Sequence, residues 1–312
     1  PALTMEAEGG GDDLRRATAL LQGPVAFGGL DGTSGYSLAA TYYDDGEPVP
    51  GSSFENRLVN GKLRLDAGRL SSQWFVRLAD SEGTAFPEDS GGPELAVLRD
   101  LSTKDFTDLS VGGDARFRLS DAVAVEGLAT WYERDGSYFS PAIAPGVRDG
   151  VPVNGADTLF RRGNATLRLA ANPLANLATT VGVDYQREDG ESDGFVDFGV
   201  VIPAPFALDR DIRGAFAEAR LTGASGVVLE GSARVDDPEG FATQGTARVG
   251  ALAPIGNGRT QLRASYGSGF RLPSFFALGN PLVGNPDLRP EKSRSLDLGA
   301  TRDFGAAAVG IT

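Results

Sequence analysis

The stretch YGSGFRLPSFFALGNPLVGNPDLRPEKSRSLDLGATRDFG (Tyr266–Gly305) joins two alternating segments through an elaborate loop. In the alternating segment that leads into this stretch, Leu262 and Ala264 lie on one side. In the alternating segment after the loop, Leu296 and Leu298 lie on one side. The loop between them holds four prolines and two Gly-Asn pairs. Proline removes a backbone donor and fixes φ, and Gly-Asn pairs tolerate positive φ at tight turns. The stretch therefore predicts two β-strands joined by a stiff excursion.

The same period of two dominates the rest of the chain. In TTVGVDYQ, for example, Val181 and Val183 alternate with Thr180 and Asp184. Roughly fifteen segments of about ten residues follow this pattern, which is longer than an ordinary soluble strand and suits a tilted strand that crosses a bilayer. No segment shows a convincing helical period; DDLRRATALLQG comes nearest and also reads as a strand. Alternation alone leaves open which face meets water.

Connection lengths separate the alternatives. The fifth, seventh and ninth connections are predicted to be long, at about residues 80–105, 134–157 and 188–211. Those between them are short: LSDA, ANPLAN and TGAS. An up-and-down barrel in an outer membrane sorts its loops in this way, whereas a Greek-key sandwich has no reason to do so. The first connection, GGGDD, and the second, GPVAFGGLDGTSG, are exceptions.

Aromatic residues point the same way. Amphipathic rings settle at a membrane interface, where one end is apolar and the other can form hydrogen bonds. The predicted topology places several of them near the long-loop rim: Tyr42-Tyr43, Trp74-Phe75, Trp131-Tyr132, Tyr185 and Tyr266.

Composition excludes several classes of function. The chain of 312 residues has no cysteine and no histidine, so disulfides, Cys/His zinc sites and His-dependent catalytic triads are absent from it. The net charge of −13 disfavours nucleic acid as a partner. There is no run of 18 apolar residues to form a transmembrane helix. We therefore predict a protein that is not an enzyme.

The opening stretch resembles the signature of TonB-dependent outer-membrane receptors, Tyr-Gly-x-Gly-Phe-Arg-x-Pro followed by Gly-Asn-Pro-x-Leu-x-Pro-Glu-x-Ser. The matching positions are Tyr266, Gly267, Gly269, Phe270, Arg271, Pro273, Gly284, Asn285, Pro286, Leu288, Pro290, Glu291 and Ser293. The family often has a Glu-Leu pair after the first half, where this chain has Ala277-Leu278. Any polar contact made by that glutamate is therefore not expected here.

The resemblance implies an all-β fold, an antiparallel up-and-down transmembrane β-barrel of 22 strands around a plug domain. Thirteen strands precede the signature by our count, and about fifteen lie in this chain. We therefore interpret residues 1–312 as a partial barrel domain, without the plug and the last strands. The first residue is Pro1 and the last residues read as the middle of a strand, which fits an excerpt of a longer protein.

The resemblance also implies a function. Such receptors reside in the bacterial outer membrane, where extracellular loops capture a scarce large ligand such as an iron-siderophore or a cobalamin-like corrinoid. The TonB complex, acting through the plug, then drives uptake. Two alternatives stay open on the residues alone: a passive outer-membrane porin, and a soluble β-rich binding protein, which would not need detergent or lipid for its extraction.

Candidate ligand contacts lie in the predicted loops. Exposed loop aromatics can stack on a ligand, and the candidates are Tyr138, Phe139, Phe195, Phe198, Phe275 and Phe276. In REDGESDGFVDFG, carboxylates recur with interleaved glycines, and hard cations prefer such oxygen ligands. A calcium site is one prediction for Asp189, Glu191, Asp193 and Asp197, and a solvated acidic loop is the other. No other cofactor is expected.

Overall fold

A computed structural model describes residues 1–26, 28, 33–146, 149–256, 258–305 and 307–311. Its strands are β1 (Ala2–Gly9), β2 (Arg15–Pro24), β3 (Gly35–Asp44), β4 (Ser53–Ala67), β5 (Leu70–Ala85), β6 (Ser102–Arg118), β7 (Val123–Ser140), β8 (Val153–Leu174), β9 (Leu177–Asp197), β10 (Val201–Pro203), β11 (Phe206–Thr222), β12 (Val228–Pro238), β13 (Gln244–Ile255), β14 (Thr260–Arg271), β15 (Glu291–Asp303) and β16 (Ala308–Ile311). DDLRRATALLQG therefore contains a strand, β2, and not a helix.

These strands form one antiparallel, barrel-like sheet in chain order. Each strand pairs with the next along the chain, except that the short β10 pairs only with the end of β9 while β11 continues the sheet beside β9. Thirteen long strands, β1–β9 and β11–β14, precede the connection 272–290, which we call the signature loop. The predicted up-and-down topology and strand count are confirmed.

The connections at the two ends of the sheet, its rims, differ in length. One rim carries the turns 68–69, 119–122, 175–176, 223–227, 256–259 and 304–307, and we call it the short-loop rim. The other, the long-loop rim, carries 45–52, 86–101, 141–152, 198–205 and the signature loop. The helices α1 (Gly92–Leu95) and α2 (Phe275–Gly279) lie in these long loops, and no helix in the described parts of the chain could span a bilayer. The first connection, 10–14, is short and contains a 3₁₀ turn (Gly11–Asp13).

The two faces of the sheet have inverted polarity compared with a soluble domain. No leucine, valine, isoleucine or aromatic residue that the structure describes is buried, and the buried apolar side chains are alanines and prolines. Val181, Leu229 and Leu262 are 51%, 49% and 42% exposed on one face, the outer face. The opposite, inner face holds buried charged residues such as Glu188 and Arg210. Apolar residues therefore do not form a dry centre, which excludes a sandwich core.

Outer-face aromatics lie at two levels, an upper belt and a smaller group near the short-loop rim. The upper belt contains Tyr42, Trp131, Tyr185 and Tyr266, as predicted. Trp74 instead lies near the short-loop rim, because β5 begins at Leu70 directly after the turn 68–69. It is level with Tyr36, since both pair in register with Leu63. The prediction was wrong for Trp74 and Phe75, because their strand begins only four and five residues before them.

The long connections are shorter than predicted because the strands continue past the upper belt. The predicted loops 80–105, 134–157 and 188–211 shrink to 86–101, 141–152 and 198–205. Backbone hydrogen bonds maintain these ladders where both faces are polar, and there the alternation of apolar side chains fades. Tyr138, Phe139 and Phe195 consequently lie on strands, although the sequence predicts loops for them.

Candidate functional site

The signature loop is built from successive side-chain caps. Ser274 opens α2 by accepting a hydrogen bond from the Ala277 amide, at 3.2 Å. Asn280 then accepts the amides of Leu282 and Val283 on its Oδ1, at 2.9 and 3.1 Å. Asparagine favours such turns because its side chain mimics a backbone carbonyl. These local bonds give the loop a defined shape of its own.

Asn285 continues the pattern. Its amide donates to the Ala277 carbonyl at 2.7 Å, and its Oδ1 accepts the Asp287 amide at 2.9 Å. Gly284 precedes it and donates to the Asn280 carbonyl at 2.8 Å. A Cβ at Gly284 would lie 2.5 Å from that carbonyl oxygen, so the turn needs glycine here. The two Gly-Asn pairs thus close the loop back onto α2.

Replacing Gly284 with alanine is expected to open this turn, because the added methyl group must displace the Asn280 carbonyl. We expect faster protease cleavage within residues 272–290, with an unchanged amount of folded barrel. Gly245→Ala is the matched control, since a Cβ there meets no atom within 4 Å. Limited proteolysis of the purified protein followed by mass spectrometry measures the effect. Equal cleavage of both variants would contradict the assignment.

The signature loop folds inward over the inner face instead of projecting away from the rim. The Phe275 ring lies 6.2 Å from the Phe160 ring on β8, and the Phe276 ring lies 6.3 Å from the Phe206 ring on β11. Gly190 on β9 leaves space for the Phe275 ring, because a Cβ at position 190 would overlap that ring. The loop therefore forms part of the lining of the sheet near the long-loop rim.

Arg210 on β11 connects the loop to the wall. It is 8% exposed and donates through Nε to Glu188 at 3.0 Å, and also through Nη2. Its Nη1 donates to the carbonyl of Pro273, the signature proline, at 3.2 Å. Its guanidinium carbon lies 5.0 Å from the centre of the Phe275 ring, close enough for a cation–π interaction.

Paired charges cover more of the inner face. Arg234 donates to both oxygens of Asp184 at 2.6 and 2.8 Å and also binds Asp236. Further groups include Arg116 and Arg168 with Glu126, and Arg134 with Asp108 and Tyr132. No buried side-chain nitrogen or oxygen in the described residues lacks a hydrogen-bond partner. This face is polar but internally neutralised.

Asp108 and Arg134 lie beyond the upper aromatic belt, toward the long-loop rim. Arg134 donates to both carboxylate oxygens at 2.7 Å, and Tyr132 donates to one of them at 2.7 Å. Hydrogen bonds from Arg134 lower the pKa of Asp108, although burial opposes the shift. The carboxylate therefore stays charged at neutral pH, and its contribution to stability is lost only as the pH falls through that lowered pKa.

A cavity of about 810 Å³ lies between the signature loop, strand β11 and the connection 239–243. Leu208, Phe241 and Phe275 give it apolar surface, and Arg210 and Gln244 give it polar groups. Five more charged side chains line it: Asp209, Glu239, Asp287, Arg289 and Lys292. Pockets of this volume are typical of small-molecule sites. We take it, with the wall around Arg210, as the candidate functional site.

The aromatic residues predicted to contact ligand lie in three places. Tyr138 and Phe139 lie on opposite faces near the end of β7, 39% and 42% exposed. Phe195 is near the end of β9, and Phe198 is 68% exposed in the following turn. Phe275 packs against the wall, and Phe276 is 54% exposed. Phe139 and Phe195 flank the same residue of β8, since both pair in register with Gly155, and ligand contact by the six stays a prediction.

The acidic residues predicted to bind calcium occupy alternate positions of one strand, β9. Alternate residues of a strand share one face, so carboxylates in this row reach a common ion only where their side chains converge. Asp189 lies 3.8 Å from Arg161, and Asp197 accepts the Gly199 amide at 2.8 Å. Within the described residues, no three Asp, Glu, His or Cys side chains are grouped to hold a metal. Calcium binding stays a prediction without a shared site in this geometry.

The family assignment follows from comparison with known proteins. A family model described as TonB dependent receptor-like, beta-barrel, matches residues 41–312. The chain belongs to this family, which consists of receptors and transporters whose barrels lie in the bacterial outer membrane.

Two curated relatives are named Vitamin B12 transporter BtuB. The one from Photobacterium profundum is 35% identical over 258 residues, which are 82% of this chain and 30% of that protein. The one from Vibrio vulnificus is 32% identical over 124 residues, 39% of this chain and 19% of that protein. The chain therefore spans less than a third of the length of these relatives.

Solved structures agree in fold. The ferric yersiniabactin uptake receptor FyuA of Yersinia pestis has a TM-score of 0.75 at 14% identity, covering 96% of this chain and 52% of that one. The ferric-catecholate import receptor Fiu of E. coli K12 has a TM-score of 0.75 at 14% identity, covering 97% and 56%.

Proposed function

We propose that this chain is the larger part of the barrel wall of an outer-membrane receptor for TonB-energised uptake, and that its ligand is a corrinoid. The observation that carries the proposal is the inverted polarity of the sheet. An apolar outer face with aromatic residues toward both rims suits lipid, and a paired, charged inner face suits a wet lumen filled by a plug.

The choice of ligand rests on the relatives. Both curated proteins that we compare carry the name of a vitamin B12 transporter, and one matches most of this chain. A corrinoid presents a large apolar ring with amide-bearing arms. The mouth of the candidate site offers aromatic surface beside arginine and glutamine side chains, which are the groups needed to bind such a molecule.

Uptake of radiolabelled cyanocobalamin tests this function. The full-length protein would be expressed in a bacterial host that lacks its own corrinoid receptor, with TonB present or deleted. We expect accumulation in the presence of TonB, and surface binding without accumulation when TonB is deleted. Accumulation of a ferric chelate but not of cyanocobalamin would overturn the ligand, and accumulation independent of TonB would overturn energised uptake.

A planar-bilayer measurement separates the receptor from a passive porin. We expect little ion conductance from the full-length protein because a plug would fill the lumen. A large, stable conductance without TonB would instead favour the porin. Extraction without detergent would favour the soluble binding protein.

A further inference from the structure

Arg210 connects the wall with the signature loop, whereas Arg134 and Arg234 bind carboxylates on strands. The guanidinium of Arg210 donates hydrogen bonds to two acceptors that are far apart in sequence. One is the carboxylate of Glu188 on the wall, and the other is the carbonyl of Pro273 in the signature loop. Both side chains of the ion pair are almost fully buried, at 10% and 8% exposed. A buried guanidinium needs its donors satisfied, and here one of the acceptors belongs to the signature loop.

The wall is shaped to receive the loop at the same place. Phe275 covers Arg210 and occupies the space left by Gly190. A second glycine, Gly279 at the end of α2, approaches Phe206 and Leu208 so closely that a Cβ would lie 2.9 to 3.0 Å from their side chains. The loop thus fits the wall at both ends of α2.

We propose that Arg210 is a positioning residue, which holds the signature loop in its binding conformation before ligand arrives. This inference rests on the proposed function. Moving the loop away would remove an acceptor and an aromatic cover from a buried cation, so the docked position is favoured in the free protein. A loop that is already ordered does not lose that freedom on binding, which increases affinity.

The first test needs no ligand. A spin label would be attached to a cysteine at Val283, a loop residue that is 72% exposed, in the full-length protein. We expect Arg210→Lys to increase the mobility of the label, because lysine cannot satisfy Glu188 and Pro273 together. If the spectrum of the labelled Arg210→Lys protein were identical to that of the labelled protein with Arg210, the proposal would be overturned.

Arg134→Lys is the matched control. Arg134 also forms a two-pronged pair with a wall carboxylate, Asp108, and lies over a phenylalanine, Phe106, at 4.7 Å. Both of these partners belong to the wall, so replacing Arg134 is expected to leave the label unchanged. If Arg210→Lys does not fold, Phe275→Leu provides the same comparison, because it removes the ring over Arg210 and leaves the ion pair of the wall in place.

The second test uses cyanocobalamin. We expect Arg210→Lys to weaken equilibrium binding about tenfold, equivalent to about 1.4 kcal/mol. The concentration for half-maximal uptake should rise by a similar factor, while the maximal rate stays unchanged. Arg134→Lys should change neither value. An unchanged affinity in Arg210→Lys would contradict pre-ordering.

A crosslink distinguishes a fixed loop from a moving lid. Cysteines replacing Gly190 and Phe275 would join the loop to the wall, and this chain contains no other cysteine. We expect the oxidised protein to retain uptake; loss of uptake with binding retained would show that the loop must move, and would overturn the proposal. If the native protein does not bind cyanocobalamin, the proposed function fails, while the spin-label comparison still decides the role of Arg210.

Discussion

Replacing Val181 with arginine is expected to reduce the folded protein in the outer membrane severely. Val181 is 51% exposed on the outer face and lies on β9 between the short-loop rim and the upper belt. A charge on the lipid side near the middle of a bilayer costs about 2–4 kcal/mol. Heat-modifiable mobility on gels measures the folded fraction, and urea titration of the barrel in lipid vesicles measures the loss of stability.

Thr180→Arg is the control for this experiment. Thr180 is the preceding residue on the same strand, points to the inner face and pairs in register with Glu218. An arginine at this position would face water and a nearby carboxylate, so we expect little change in the folded fraction. If the two variants lost equal stability, the assignment of the outer face to lipid would be wrong.

Replacing Arg234 with alanine is expected to cost about 3 kcal/mol, at the low end for a broken buried pair because Arg234 itself is 36% exposed. The change leaves Asp184 and Asp236 together without their shared cation, and these side chains are only 15% and 3% exposed. Urea unfolding of the protein in lipid vesicles measures the difference in the free energy of unfolding.

Arg220→Ala controls for the loss of any arginine from the inner face. Arg220 lies 3.4 Å from Glu230, and both side chains are well exposed, at 60% and 57%. Exposed pairs contribute about 0–1 kcal/mol. We expect this variant to unfold close to the native midpoint, and an equally large loss in both variants would show that burial is not the cause.

The architecture could be predicted from the sequence because it depends on local patterns. Alternation along Thr180–Gln186 fixes which side chains share a face, and loop parity fixes the up-and-down order. Strand ends were harder to predict. The upper part of β9, around Asp189, carries polar residues on both faces, so only the hydrogen bonds to β8 and β11 reveal it as a strand.

The contacts of the candidate site could be predicted only in part. The signature marked Pro273 and Gly284, and their roles in the loop follow from backbone geometry. Arg210, Glu188 and Gly190 carry no sequence signal of their own, because their partners lie on other strands and in the loop. An arginine and a glutamate on polar strand faces look alike whether they meet a distant loop or water.

The strands extend well beyond the upper belt, and this extension determines which part of the protein is reached first from outside the cell. Strand β8 extends from Val153 to Arg162 above Gly163, the register partner of Trp131. Ten residues in a ladder rise about 30 Å along the strand, or about 23 Å vertically at a typical barrel tilt. Under the proposed placement, the upper strand ends form an entrance raised above the lipid headgroups. Antibodies or phage tails that approach the bacterium would therefore contact the connection around Phe198 before they reach the bilayer.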